Sequence, residues 1–228
     1  MIANKKEFFG GLAMLAAFVV VLIIIFSPVF KGHNGLEYLD ALYNSISKGS
    51  AYYIPDVLKE TAQFNGRSID ATIALEDENQ AQETALLFRK GGASATVAGT
   101  SLHVSGDLGG ILENTLADAE AMYHNKGEAV SEKYGYNERQ VLFNWWKALN
   151  AMEKALQKQK KFKEDKVVAL VVKKGVEPSY NYYTIEPQKI SDRMGVVIFS
   201  LVFYVVYTLW YGFAILYMFE GWGMRLEH

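Results

Sequence analysis

Cysteine is absent from this chain. Disulfides, thiolate nucleophiles, iron–sulfur clusters, c-type haem attachment and cysteine-based zinc sites are thereby excluded. A cationic excess is missing too, with 23 Lys and Arg against 25 Asp and Glu. Nucleic-acid binders replace the counterions around phosphates with clustered cations, so nucleic acid is not an expected partner. Histidine is scarce. His33, His103 and His124 fall in different elements, and no H-x-x-x-H pair is present. Glu76, Asp77 and Glu78 lack the alternating spacing of a calcium loop, and their place before a helix suits its positive end. No phosphate-loop lysine follows the glycines at 106, 109 and 110, so this segment reads as a helix cap with close backbone packing. No G-x-S-x-G elbow is present. The sequence carries no catalytic signature, and neither an enzyme nor a cofactor is expected.

What the sequence does hold is two long uncharged runs. The mean hydropathy of +0.03 hides them, because nearly all the charge lies between them. The first spans residues 12–30 and the second 195–219. A bilayer's apolar core is about 30 Å thick, and roughly 20 apolar helical residues cross it. Both runs qualify as transmembrane helices. The first is too long for a cleaved signal and lacks a small-x-small exit before Phe30, so it reads as an uncleaved signal anchor. Lys5, Lys6 and Arg225 favour cytoplasmic ends, while Lys31 and Arg193 dilute that bias. The expected order is a short cytoplasmic tail (1–11), a first span (12–30), an extracytoplasmic α/β domain (31–194), a second span (195–219) and a short tail (220–228). Leu226, Glu227 and His228 resemble the start of a purification tag.

The middle reads as a mixture of helices and a small sheet. Leu36, Leu39, Leu42, Tyr43 and Ile46 sit at helical spacing, with Gly49 as the stop. Pro55 opens a short helix that runs to Phe64. Residues 69–75, 95–98 and 101–105 read as strands around a helix over 79–90, with Gly99-Thr100 as a tight turn. Asp107 caps a helix whose stripe of Leu112, Leu116, Ala119, Tyr123 and Val130 continues through Gly127. A second long helix follows Gly135 on Leu142, Trp145, Leu149, Met152 and Leu156. Together these two predict a long antiparallel helical hairpin. Residues 157–166 read as a solvated charged segment, and 167–172 suits either a buried strand or a short helix, with Lys173-Lys174-Gly175 favouring the helix. The expected fold class is an α+β membrane protein: two terminal transmembrane helices flanking a mixed α/β domain.

Two sets of residues stand out. In the second span Ser200, Tyr204, Tyr207 and Tyr211 share one face, beside Thr208. Hydroxyls in hydrocarbon need partners, so this edge predicts contact with protein or a polar pore rather than lipid. Gly10, Ala13 and Ala17 form a small-residue strip in the first span that suits close helix packing. Neither span carries an ionisable residue in its core, which argues against a proton relay. Outside the spans, Trp146 lies off the inward stripe of its helix, and Tyr180, Tyr182 and Tyr183 cluster before the second span. Tyrosine and tryptophan anchor protein interfaces, so these four are candidate contact residues. Core packing is the plainer reading of the tyrosines.

The layout of two terminal spans around an α/β domain with long helices resembles that of bacterial polysaccharide co-polymerases. The proline-rich pattern expected beside their second span is missing here. The functional expectation is a non-enzymatic integral protein of the plasma or inner membrane, acting as a self-associating scaffold or as an accessory subunit of a larger membrane complex. Its expected partners are the lipid bilayer, further copies of itself and other membrane subunits. A homo-oligomeric channel lined by the second span and an extracytoplasmic ligand sensor are the alternatives.

Overall fold

The computed structural model describes residues 2–30 and 32–224. Lys31, Arg225 and residues 226–228, used above for topology and the tag, lie outside the described residues. The chain divides into two compact units, Met1–Ile46 with Gln188–His228, and Ser47–Pro187.

The first unit holds two helices long and apolar enough to cross a membrane, α1 (Lys5–Phe26) and α10 (Ile190–Trp222). Asn4 caps α1, its side chain accepting from the amides of Lys6 and Glu7. The helix stops at Phe26, short of the expected Phe30, because Ser27 precedes Pro28 and is forced into extended backbone (ψ 149°). α10 ends at Gly223, whose φ of +93° is the left-handed conformation that glycine adopts without strain. The two helices pack antiparallel. The Asn4 amide donates to the Gly221 carbonyl at 2.9 Å, and the Trp210 indole donates to the Met14 carbonyl at 3.1 Å. The Phe18 ring stacks on Tyr207 with centroids 4.5 Å apart.

This seam differs from the expected one. α1 approaches α10 through Gly11, where a Cβ would lie 2.7 Å from the Ala214 carbonyl, and not through Gly10, Ala13 and Ala17. Those three are exposed, turned away from Gly11 by about 100° (Gly10), about 120° (Ala17) and about 160° (Ala13) of helical rotation. On α10 the hydroxyl stripe splits. The Tyr207 and Tyr211 rings both touch Phe18 of the seam, with centroids 4.5 and 5.2 Å away, and Ser200 meets Tyr43, while Tyr204 is 68% exposed and Tyr211 keeps one side open. Thr208 Oγ1 donates to the Tyr204 carbonyl and Ser200 Oγ to the Val197 carbonyl, so two hydroxyls are satisfied within their own helix.

Helix α2 (Gly35–Ser50) begins with a reciprocal cap. The Glu37 amide donates to Asn34 Oδ1, and the Asn34 amide to Glu37 Oε2. It runs past Gly49, which does not adopt the expected left-handed stop.

The second unit is helix-rich with a small sheet. Its elements are α3 (Ile54–Thr61), β1 (Ser68–Ala74), α4 (Glu78–Lys90), β2 (Ser94–Ala98), β3 (Ser101–Asp107), α5 (Leu108–Tyr123), α6 (Gly127–Tyr134), α7 (Glu138–Lys158), α8 (Phe162–Val171) and α9 (Glu177–Asn181). The antiparallel sheet has the order β1-β3-β2, with Ile73 opposite Leu102 and Ala95 opposite Val104. Period-two burial puts Ile69, Ala71, Ile73, Leu102 and Val104 inside. They join a core built on Phe88, Leu112, Leu116, Trp145 and Leu149. The opposite face, with Asp70, Thr72, Thr96 and His103, is exposed.

The long hairpin is not the expected one. The helix after Asp107 breaks at residues 124–126, because Asn125 adopts φ +58°. Asparagine tolerates this conformation better than other side-chain-bearing residues. The main antiparallel partner of α7 is α8, reached by a turn over residues 159–161 in the middle of the expected charged segment.

Two buried polar centres tie the unit together. Asp118, 2% exposed, accepts from the Tyr134 hydroxyl (2.6 Å), the Trp145 indole (2.8 Å) and Lys133 Nζ (2.6 Å). Lys48, 1% exposed, donates to Asn125 Oδ1 (3.0 Å) and to the carbonyls of Tyr182 (3.1 Å) and Ile185 (2.6 Å). The Tyr123 hydroxyl donates to the Lys48 carbonyl, and the ammonium lies over the Tyr123 ring. The Asn125 amide nitrogen donates onward to Ile185 O and Glu186 Oε1.

Two predictions follow from these contacts. Gly11→Leu should lower the melting temperature in mild detergent through overpacking worth about 1–3 kcal/mol, whereas Gly10→Leu, with open space around it, should leave it unchanged. Equal effects at the two glycines would refute this seam. Lys48→Met should destabilise the unit by about 2–4 kcal/mol, since three acceptors lose a charged donor while the desolvation of the ammonium is relieved. A thermal melt unchanged by Lys48→Met would show that the clasp is dispensable.

Candidate protein-contact surface

Helix α7 is the element from which the candidate surface is built. Asn137 caps it, accepting from the amides of Arg139 and Gln140. Its inward stripe of Val141, Leu142, Trp145, Leu149, Met152 and Leu156 is buried. The flanking side carries Phe143, Trp146, Lys147, Asn150, Lys154 and Lys158. Trp146 is half-buried there, stacked on Phe143 with centroids 6.1 Å apart. Its indole donates to Glu177 Oε1 at 2.9 Å.

Glu177 is brought to Trp146 by a π-turn over Val172–Val176, between α8 and α9. Gly175 makes that turn fit, because a Cβ there would lie 2.7 Å from Leu116 Cδ2. The result is a shallow apolar hollow of about 310 Å³ lined by Phe143, Trp146, Val176, Glu177, Tyr180 and Asn181. On the other side of Trp146 lies a longer groove of about 530 Å³ between α7 and β1. Trp146 is therefore a ridge shared by two depressions. Lys147 sits over its ring and pairs with Glu76 at one end of the groove.

The expected contact residues divide two and two. Trp146 and Tyr180 come together at the hollow. Tyr183 instead packs on Gly127, donates to Glu138 Oε1 at 3.1 Å and lies under the Arg139 guanidinium. Tyr182 gives its carbonyl to Lys48. Both serve the unit's own closure, the plainer of the two readings made from sequence. Phe143, Glu177 and Asn181 were not singled out in the sequence. The three-residue step from Phe143 to Trp146 on one flank of α7 was the available signal.

Two acidic residues of the segments singled out in the sequence serve as helix caps. Asp77 caps α4 through the Gln80 amide, and Asp107 caps α5 through the Gly110 amide. A Cβ on Gly106 would lie 2.8 Å from Ala93 Cβ, and one on Gly109 would collide with Asn65, so these glycines serve close packing. His103 stands on the exposed sheet face beside Thr72 (3.2 Å) and Asp70 (3.5 Å). Among the described residues, no three His, Asp or Glu side chains gather as a metal-binding group.

No family model, curated protein or solved structure matches the chain.

Several tyrosines of the second unit resist ionisation. A hydrogen bond to the Glu120 carboxylate, with burial second, pushes Tyr52 up to about 12. Burial first, then the Asp118 charge and hydrogen bond, raises Tyr134 well above the usual phenol range. Burial likewise raises Tyr123, Tyr136 and Tyr183. Above pH 10 the unfolded chain releases these protons while the folded chain keeps them, so stability must fall as pH rises. Burial lowers the Lys48 pKa from 10.5, which acts in the opposite direction just below that pH. The melting temperature should therefore drop steeply from pH 10 upward, and Tyr52→Phe should flatten the drop between 10 and about 12. A Tyr52→Phe profile superimposable on wild type after normalisation would contradict the Glu120 bond.

Proposed function

We propose that this chain is a non-enzymatic integral membrane protein, an accessory subunit or self-associating scaffold that presents a partner-binding domain at the plasma or inner membrane. The two long apolar helices support the membrane anchoring. Lys5 and Lys6 before the first helix favour cytoplasmic ends and an extracytoplasmic domain.

The observation that carries the partner-binding reading is Trp146. A tryptophan on the outer flank of a rigid helix, standing between two depressions, has the form of an interface anchor. Its ring is oriented by Glu177 and Phe143 before any partner arrives, so little side-chain entropy is lost on docking. The outward tyrosines of α10 support self-association. Tyr204 is largely exposed, Tyr211 touches Phe18 on one side and is open on the other, and phenols within hydrocarbon need polar partners.

In mild detergent, the full chain should run as a discrete particle heavier than one copy by light scattering. Tyr204→Leu with Tyr211→Leu should reduce its copy number. Trp146→Ala should strip an accompanying subunit while shifting the melting temperature by only a few degrees, as expected for loss of about 1 kcal/mol. A wild-type particle that is strictly monomeric and carries no second subunit overturns the reading.

A further inference from the structure

The groove between β1 and α7 has a wall of open backbone. Three hydrogen bonds fix which groups form it. The Leu75 amide donates to Thr100 O and the Leu108 amide to Arg67 O, so the odd-numbered residues of this stretch point their amides and carbonyls at β3. Alternation then turns those of Ser68, Asp70, Thr72 and Ala74 away from the sheet. Gln159 confirms this by donating to Asp70 O at 2.9 Å from the end of α7. Thr72 and Ala74 lie further along the groove, between the Gln159 contact at one end and the Lys147–Glu76 pair at the other. Such an edge is a template for another strand.

The wall facing it is cationic. Lys147, Lys154 and Lys158 line the groove at spacings of seven and four on α7, with Ala151 and Ala155 between them. Among the described residues, Lys154 and Lys158 have no ion-pair partner. A strand has two flanks of alternate side chains, so one flank could meet the small alanines and the other the lysines.

We propose that this groove binds an extended acidic segment of a partner protein by strand addition to the free edge of β1, with carboxylates set against Lys154 and Lys158. The backbone bonds to Thr72 and Ala74 supply affinity, and the lysines select an acidic occupant. A second copy of β1 is a poor occupant, because every copy brings the same lysines. The inference rests on the partner-binding reading above and names the partner's chemistry.

The test uses the full chain in mild detergent and a fluorescent, end-capped heptapeptide of alternating Glu and Val. Three control peptides are compared with it: the Gln-for-Glu version, a version N-methylated at alternate amides, and a Lys-for-Glu version. The acidic peptide should bind and slow hydrogen exchange at the Thr72 and Ala74 amides. The N-methylated and Gln versions should each bind about tenfold more weakly or worse, and the Lys version should not bind. Lys154→Glu with Lys158→Glu should weaken binding by about tenfold or more. Thr72→Pro removes an outward amide without breaking the β1–β3 ladder and should do the same. The N-methylated peptide tests the same bond without altering the protein.

Equal binding of the N-methylated and parent peptides would mean an anion-attracting surface only and overturns the proposal. So does an absence of binding, or binding indifferent to the lysine reversals. If Thr72→Pro instead disperses a self-associated particle, the edge belongs to a second copy and the proposal fails. Retention of the Trp146-dependent subunit in any of these cases would leave the accessory-subunit reading standing, which separates the two failures.

Discussion

The Ser47–Pro187 unit depends on one buried ammonium. Lys48 stands at its beginning, and two of the carbonyls it binds, Tyr182 and Ile185, stand near its end. The third acceptor, Asn125, sits in the break between α5 and α6. One side chain thus joins the first residues of the unit, a kink in its middle and its last loop. An ammonium has three protons, and here three acceptors take them. A buried charge left short of partners would cost several kcal/mol, so the three segments hold together or come apart as a group. The left-handed backbone at Asn125 and Thr184 makes sense in this light. Each is an uncommon conformation held in place because Asn125 Oδ1 also receives the Thr184 amide.

Helix α7 divides its labour by face. Its inner face inserts Trp145 into the core, where Asp118 satisfies the indole. The neighbouring residue, Trp146, is held by Glu177 on the outside. Two adjacent tryptophans therefore do opposite things because successive helical residues are 100° apart. Asp118 and Glu177 come from segments that reach α7 from different directions, so both rings are fixed in orientation. A tryptophan held on the outside thus stands beside an open strand edge on one flank of α7.

Much of the local structure was legible. The strands, α4, the helix after Pro55 and the Asp107 cap follow from alternation, helical periodicity and capping rules. The reading failed where a distant group outweighed a local one. The stripe from Leu112 to Val130 is continuous in sequence, yet Asn125 interrupts it for the sake of Lys48, some 77 residues away. Gly49 looked like a stop, but Lys48 draws the helix onward. Residues 157–166 are mostly exposed, as read, but nothing local shows that α8 starts within them and returns along α7. The small-residue strip misled for a different reason. Helix packing needs one close approach, and Gly11 supplies it where bulkier Phe18 and Met14 fill the rest of the seam. Of the contact residues, Trp146 was legible from its place beside the stripe, whereas the acidic partner that orients it came from an unusual π-turn with no sequence rule behind it.

Helix α10 is the longer of the two apolar helices, with 33 residues against 22. Near the last turn of α1, α2 touches α10 at one point, where the Tyr43 hydroxyl meets Ser200 Oγ at 2.6 Å. The rod itself is unbroken over its whole length, and α1 braces only part of it. An α-helix resists bending where its ladder is intact, so α10 behaves as a mast: a lean imposed on its greasy portion is carried to its polar foot.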